Sequence, residues 1–301
     1  MAYQFGSFKG VFAIVLASLL WGTTGAASSF SVDVSPLAIG AFSMGNAGVL
    51  LVFTARKQLF IDSQSLFYQL KFVLLGAISI AIYPLAFYSS MSLSGVAIGT
   101  VVSIATAPFF TALLERIVSK KHISAQWIVS FVIGMIGIVF LVLGKEQNSE
   151  VIINAFWQNL GVALGVLAGL SYALYSWVAR DLIEKGIHSQ SAMSAMFGCA
   201  ALLLLPSLWF TGGNLFSNFT NTFVSLYMAI IPMYLGYVLF AFGLKWVDAS
   251  KATLITLIEP LVAAILAVLV IGESFIPVGW FGMALVFLCL LIQTWPFKTR
   301  V

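Results

Sequence analysis

Apolar runs dominate this chain, and ten of them are long enough to cross a bilayer. They cover about 10 to 30, 36 to 54, 66 to 91, 94 to 114, 126 to 143, 160 to 179, 191 to 210, 222 to 244, 250 to 270 and 276 to 295. A lipid-embedded backbone must satisfy its own hydrogen bonds, so each run is predicted to be a helix. The first begins at Gly10, after a polar start with Lys9. It continues past Trp21 and Gly22 without a small-x-small cleavage site, which reads as a retained helix and not a signal peptide.

The second five runs repeat the first five. Leu16, Ala17, Trp21 and Gly22 (LASLLWG) correspond to Leu167, Ala168, Tyr172 and Ala173 (LAGLSYA) at a constant offset of 151. Ala97 and Pro108 correspond to Ala249 and Pro260 at an offset of 152, and the apolar runs FFTALL and LVAAIL follow the two prolines. Five is odd, so the second copy must enter the membrane from the opposite side. The expected fold is an all-α integral membrane protein: ten transmembrane helices as two inverted five-helix repeats, residues 1–145 and 160–301, joined by a linker at 146–159.

Composition agrees. With 61% hydrophobic and 8% charged residues and a mean hydropathy of +1.07, a soluble fold would expose apolar surface almost everywhere. Charge sets the orientation. With cytoplasmic N- and C-termini, thirteen of the 14 Lys and Arg fall inside: Lys9; Arg56, Lys57 and Lys71; Arg116, Lys120 and Lys121; Arg180 and Lys185; Lys245 and Lys251; Lys298 and Arg300. Lys145 alone stays outside. The turn after helix four, SKKH, is basic, whereas its counterpart after helix nine, IGES, carries Glu273, as inversion requires. Topology therefore accounts for the net charge of +4, and no polar loop mixes bases with aromatics as nucleic-acid binding would need.

Enzyme chemistry finds no constellation. The spans contain one carboxylate near mid-depth and no histidine, and His122 and His188 lie in loops beside Lys121 and Lys185. Cys199 and Cys289 sit alone in helices seven and ten, as small buried hydrophobes with no metal-binding spacing. No Gly-rich phosphate loop is present, and no cofactor or metal is expected.

The WG pair Trp21–Gly22, Pro108 and Pro260 in mid-helix, and the stretch from Ala252 to Glu273 (ATLITLIEPLVAAILAVLVIGE) before a Trp-containing tenth helix resemble the EamA family of the drug/metabolite transporter superfamily. The resemblance runs from Gly10 to about Thr294; the first half departs from it by carrying Lys121 where many members have Glu. It implies a ten-helix exporter or facilitator for amino acids and other small metabolites in the bacterial inner membrane. It also implies a central cavity formed mainly by helices one, three, four, six, eight and nine. Two glycine stripes, Gly161–Gly165–Gly169 in helix six and Gly95–Gly99 at the entry to helix four, fit close helix packing.

Glu259 is the leading candidate site. Nine of the ten acidic residues (Asp33, Asp62, Glu115, Glu146, Glu150, Asp181, Glu184, Asp248 and Glu273) lie in loops or at helix ends, and Glu259 alone is near a midpoint. An ionised carboxylate there costs about 3 kcal/mol even on the mildest scale. Lys251, eight residues away, is about 12 Å along the axis at 1.5 Å per residue, and no basic residue shares that depth. Glu259 must be protonated or solvated by a watery cavity, poised to exchange a proton or meet a substrate amine; the alternative is a protonated Glu bonded to a nearby hydroxyl as packing glue. Pro260 should free a carbonyl one turn earlier, near Thr256.

Two hydroxyl stripes accompany it, Thr253–Thr256–Glu259 in helix nine and Thr100–Ser103–Thr106 in helix four. Each such hydroxyl can instead bond its own preceding turn. Candidate aromatics are Trp21 and its repeat mate Tyr172, Tyr175 one turn on, Tyr83 and Tyr88 around Pro84, and Tyr234 and Tyr237 after Pro232. The proposed binding or coupling set is Glu259, Thr256, Thr253, Trp21, Tyr83, Tyr172, Tyr175, Tyr234, Ser103 and Thr100, with helix kinks at Pro84, Pro108, Pro232 and Pro260. The expected protein is a monomeric or homodimeric carrier of a small-molecule solute across the lipid bilayer, with protons as candidate coupling ions. Export leads; import by the same fold and a non-transporting sensor are the alternatives.

Overall fold

The computed structural model describes residues 2–144, 155–272 and 274–294; Lys145, Glu146, Glu150, Glu273, Lys298, Arg300 and most of the 146–159 linker lie outside them. Among the described residues, ten helices are long and apolar enough to cross a membrane: Gly6–Ser28, Pro36–Ile61, Leu70–Ser94, Ile98–Ile117, Ala125–Leu143, Ala155–Glu184, Ser189–Thr211, Phe219–Gly243, Ala249–Ile271 and Pro277–Thr294, here spans 1 to 10. They match the ten apolar runs one for one.

The boundaries move where charge and aromatics act. Span 6 runs past the apolar limit to Glu184 because ion pairs four residues apart, Arg180–Glu184 at 2.8 Å and Asp181–Lys185 at 2.6 Å, carry the helix into the aqueous layer. The third apolar run divides: Ser63–Tyr68 forms a separate short helix with Phe67 and Tyr68 exposed, as suits an interfacial elbow, and span 3 starts at Leu70.

The spans pack with approximate two-fold symmetry. Span 2 lies against span 7 and span 5 against span 10, pairing equivalent helices of the two halves. Span 6 packs on spans 3 and 4, and span 1 correspondingly packs on spans 8 and 9. The glycines of span 6 make this possible: a Cβ on Gly161 would meet Ser94, and one on Gly165 would meet Ser90 and Val102. Gly95 serves differently, taking φ +87° in the turn between spans 3 and 4, while Gly99 packs on span 3.

The second half departs from ideal helix. Span 8 contains a π-helical segment, Ala229–Leu235, around Pro232. Span 9 stops at Ile255, turns through Thr256 and Leu257, and resumes as Ile258–Leu266. Pro260, without an N–H, lies in the first turn of the resumed helix, where that loss is tolerated. The carbonyl of Thr256 is not left free, because the Glu259 N–H donates to it at 2.9 Å. Pro84 and Pro108 lie inside unbroken helices.

Candidate functional site

A cavity lies among six spans. Its walls are Trp21 and Thr24 of span 1, Gly40, Ser43 and Met44 of span 2, Tyr83, Pro84, Phe87 and Tyr88 of span 3, Tyr172 and Tyr175 of span 6, Met233 and Tyr237 of span 8, and Glu259 of span 9. Tyr83, Tyr172 and Glu259 are near the middle of their spans, whereas Thr24 is near the end of span 1, Gly40 near the beginning of span 2 and Tyr88 late in span 3, so the cavity extends from mid-depth toward the membrane face away from the basic loops. Span 2 takes a place expected of span 4, which contributes no described lining residue.

Several aromatic wall residues are held from behind. The Trp21 indole N–H donates to the Pro232 carbonyl at 2.9 Å, and its ring lies on Gly236, where a side chain would collide with it. Tyr172 Oη donates to Thr256 Oγ1 at 3.0 Å, and Thr256 Oγ1 donates in turn to the Thr253 carbonyl at 2.8 Å. Tyr175 and Tyr237 share a hydroxyl hydrogen bond at 3.0 Å. The rings form a continuous chain, with centroids at 4.9 Å for Trp21–Tyr237, 6.2 Å for Tyr237–Tyr175, 5.1 Å for Tyr175–Tyr172 and 5.5 Å for Tyr172–Tyr83. Such contacts fix the orientation of side chains that are otherwise free to rotate.

Glu259 is set by the break in span 9 and by Gly22. A Cβ on Gly22 would stand 2.5 Å from Val262 Cβ and 3.0 Å from the Glu259 carbonyl, so the glycine lets span 9 approach span 1 at the carboxylate. The Glu259 side chain makes no hydrogen bond or ion pair with any described residue, and it faces the cavity. Tyr83, Tyr88, Tyr172 and Tyr237 line the same cavity. The repeat-equivalent position, one residue before Pro108, is Ala107, so among the described residues the cavity has one carboxylate and no symmetric partner.

Of the residues singled out in the sequence, Glu259, Trp21, Tyr83, Tyr88, Tyr172, Tyr175, Tyr237 and Pro84 line the cavity. Thr256 stands one hydrogen bond behind Tyr172; Thr253 is buried and donates to the Ala249 carbonyl. Tyr234 packs against the core outside the lining, where Tyr237 stands instead. Ser103 donates to the Gly99 carbonyl within its own helix and faces the span 6 packing, and Thr100 and Pro108 on the same span do not reach the cavity. Gly40, Ser43, Met44, Thr24, Phe87 and Met233 were not singled out; they are ordinary residues of membrane helices. Among the described residues no cluster of three His, Cys, Asp or Glu could hold a metal ion.

Ion pairs bridge the two halves on the basic-loop face. Lys121, after span 4, pairs with Glu184 at 2.5 Å and with Asp248 at 2.8 Å, and Arg180 pairs with Glu184 and donates to the Leu244 carbonyl. Partial burial works against the Lys121 charge, but hydrogen bonds to Asp248 and Glu184 outweigh it and hold its pKa above the usual lysine value. Glu115 accepts the Ala249 N–H at 2.8 Å, so a carboxylate from the first half caps span 9 of the second.

Known proteins share this plan. The EamA-like transporter family matches residues 8–143 and 159–295. The uncharacterized transporter YwfM of Bacillus subtilis (strain 168) is 31% identical over 282 residues, covering 93% of this chain and 91% of its own. A "probable amino-acid metabolite efflux pump" of Salmonella typhimurium (strain LT2) is 22% identical over 206 residues, 64% of this chain and 65% of its own. A solved crystal structure superposes with a TM-score of 0.78 at 15% identity, covering 95% of this chain and 96% of that one, and so shares the fold. With its ten apolar helices, the chain is a multi-pass membrane protein consistent with the bacterial inner membrane, and it belongs to the EamA-like transporter family.

Proposed function

We propose that this transporter is a secondary carrier that exports a small, amine-bearing metabolite of the amino-acid type by alternating access through the cavity around Glu259. One observation carries the reading: a carboxylate near the middle of its span, with no hydrogen-bond or ion-pair partner among the described residues, faces a cavity walled by aromatic rings. Such a group is costly in lipid and finds its use in meeting a cation or a proton. The name of the Salmonella efflux pump supports the solute class and the direction. The ionic ties on the basic-loop face, opposite the cavity, support a carrier open on one side and closed on the other. Rocking of the two five-helix halves exchanges these states, driven by a proton or by the solute gradient.

The test is flux in proteoliposomes. Glu259→Gln keeps the shape and the hydrogen-bonding capacity of the side chain but has no proton to lose. Expression and melting temperature should stay near wild type, while concentrative flux falls strongly and its pH dependence flattens; the facing groups Tyr83, Tyr88, Tyr172 and Tyr237 are unchanged. Wild-type flux and pH dependence in this variant would remove Glu259 from the mechanism.

A further inference from the structure

The charges and donors of the cavity select more narrowly than the carrier reading on which this inference rests. We infer that the solute is a singly charged organic cation with an aromatic or apolar body and no free carboxylate, so an amine or amino-acid ester is taken in preference to the parent amino acid.

A zwitterion brings two charges, and the cavity answers one of them. Among the described residues, Glu259 is the single charged member of the lining, which contains no Lys, Arg or His. Several of the neutral donors are committed. The Trp21 N–H goes to the Pro232 carbonyl, the Tyr172 hydroxyl to Thr256, and the Ser43 hydroxyl to the Gly40 carbonyl; Tyr175 and Tyr237 bond each other. A broken helix would ordinarily offer backbone N–H groups to a carboxylate at its restart. Here the Glu259 N–H is spent on the Thr256 carbonyl, and Pro260 has none. What stays available for a guest is one carboxylate, the neutral hydroxyls of Thr24, Tyr83 and Tyr88, and the faces of the rings, a set with no positive charge and one that attracts ammonium groups. A carboxylate beside Glu259 would meet like charge without a counter-cation. Ala107 at the repeat-equivalent position leaves no second anion, which limits the guest to one positive charge.

Four matched probes test this on the purified full-length protein, read by equilibrium binding and by counterflow in proteoliposomes: 2-phenylethylamine, phenylalanine methyl ester, phenylalanine and 3-phenylpropionate. The amine and the ester should bind at least about tenfold more tightly than phenylalanine, the propionate should not bind, and Glu259→Gln should lose the amine and the ester alike. Phenylalanine binding as tightly as its ester overturns the charge assignment, as does propionate binding or failure of all four. Saturable phenylalanine flux equal to ester flux would overturn this inference while leaving the carrier reading intact, whereas absence of flux for solutes that do bind would overturn the carrier reading alone. If Glu259→Gln does not fold, the ester-to-acid ratio in the wild-type protein decides by itself.

Discussion

Replacing Gly22 by Ala should damage this protein far more than the addition of one methyl group suggests. The new Cβ would sit 2.5 Å from Val262 Cβ, 2.7 Å from Val262 Cγ1 and 3.0 Å from the carbonyl oxygen of Glu259. Nonbonded carbons rest about 3.5–4.0 Å apart, so the contact is short by roughly 1 Å or more. Val262 Cβ and the Glu259 carbonyl are fixed to the backbone, and no rotamer change relieves either contact. Spans 1 and 9 must therefore part at the level of Glu259 and Trp21. One overpacked methyl costs about 1–3 kcal/mol, which lowers the melting temperature by roughly 2–10 °C at this chain length. Function should suffer as well, because the displaced segment bears the cavity's one carboxylate.

Gly25 provides the control, three residues along the same span, where an added Cβ meets nothing within 4 Å. Gly25→Ala should melt at or slightly above wild type, since it restricts the unfolded chain without a clash. The assay is thermal unfolding of purified Gly22→Ala, Gly25→Ala and wild type in one detergent, followed by flux in proteoliposomes. Adding Val262→Ala to Gly22→Ala removes the Cγ1 contact but leaves the Cβ contact, so rescue should be partial. Equal melting temperatures for Gly22→Ala and wild type would refute the close approach of spans 1 and 9.

Further outcomes follow from other contacts. Trp21→Phe keeps a ring but strips the Pro232 carbonyl of its indole donor, and should cost about 1–3 kcal/mol in thermal unfolding together with a loss of solute affinity; unchanged melting would show the bond to be dispensable. Lys121→Met should lower stability by at most about 1 kcal/mol, because its partners are solvent-exposed. As the Lys121 pKa is raised, its contribution is fully present below the usual lysine value and is lost as pH climbs through the higher value of the folded protein. The melting gap between wild type and Lys121→Met should thus be constant near neutrality and close in alkali; a gap that widens there would contradict the pairing. Cysteines placed at Gln58 or Gln190 should label from the cytoplasm and those at Ser29 or Asn148 from outside, and the reverse pattern would invert the charge-based orientation.

How much of this was legible in the sequence depended on whether a residue had one possible use or several. The ten spans were, because a long apolar run in lipid has no alternative to a helix. The ends were less so: Phe67 and Tyr68 merge with the third apolar run, and the Arg180–Glu184 pair prolongs span 6 beyond what hydropathy registers. Glu259 was visible because a lone carboxylate at mid-depth has few inexpensive uses. Hydroxyls are ambiguous, since Ser103 and Thr253 satisfy carbonyls of their own helices as readily as they could have met a solute. Lys121 read as an orienting charge, but its partner Asp248 lies 127 residues away, a distance no local pattern spans. The duplication explains the frame, and the differences between the copies explain the site. Where symmetry would place equal residues, span 1 has Trp21 and span 6 has Tyr172, span 4 has Ala107 and span 9 has Glu259. A symmetric cavity would hold two carboxylates, each repelling the other. Losing one leaves a single anion among rings, and the folded arrangement of a nearly two-fold scaffold thereby acquires one charged centre where a solute can be held.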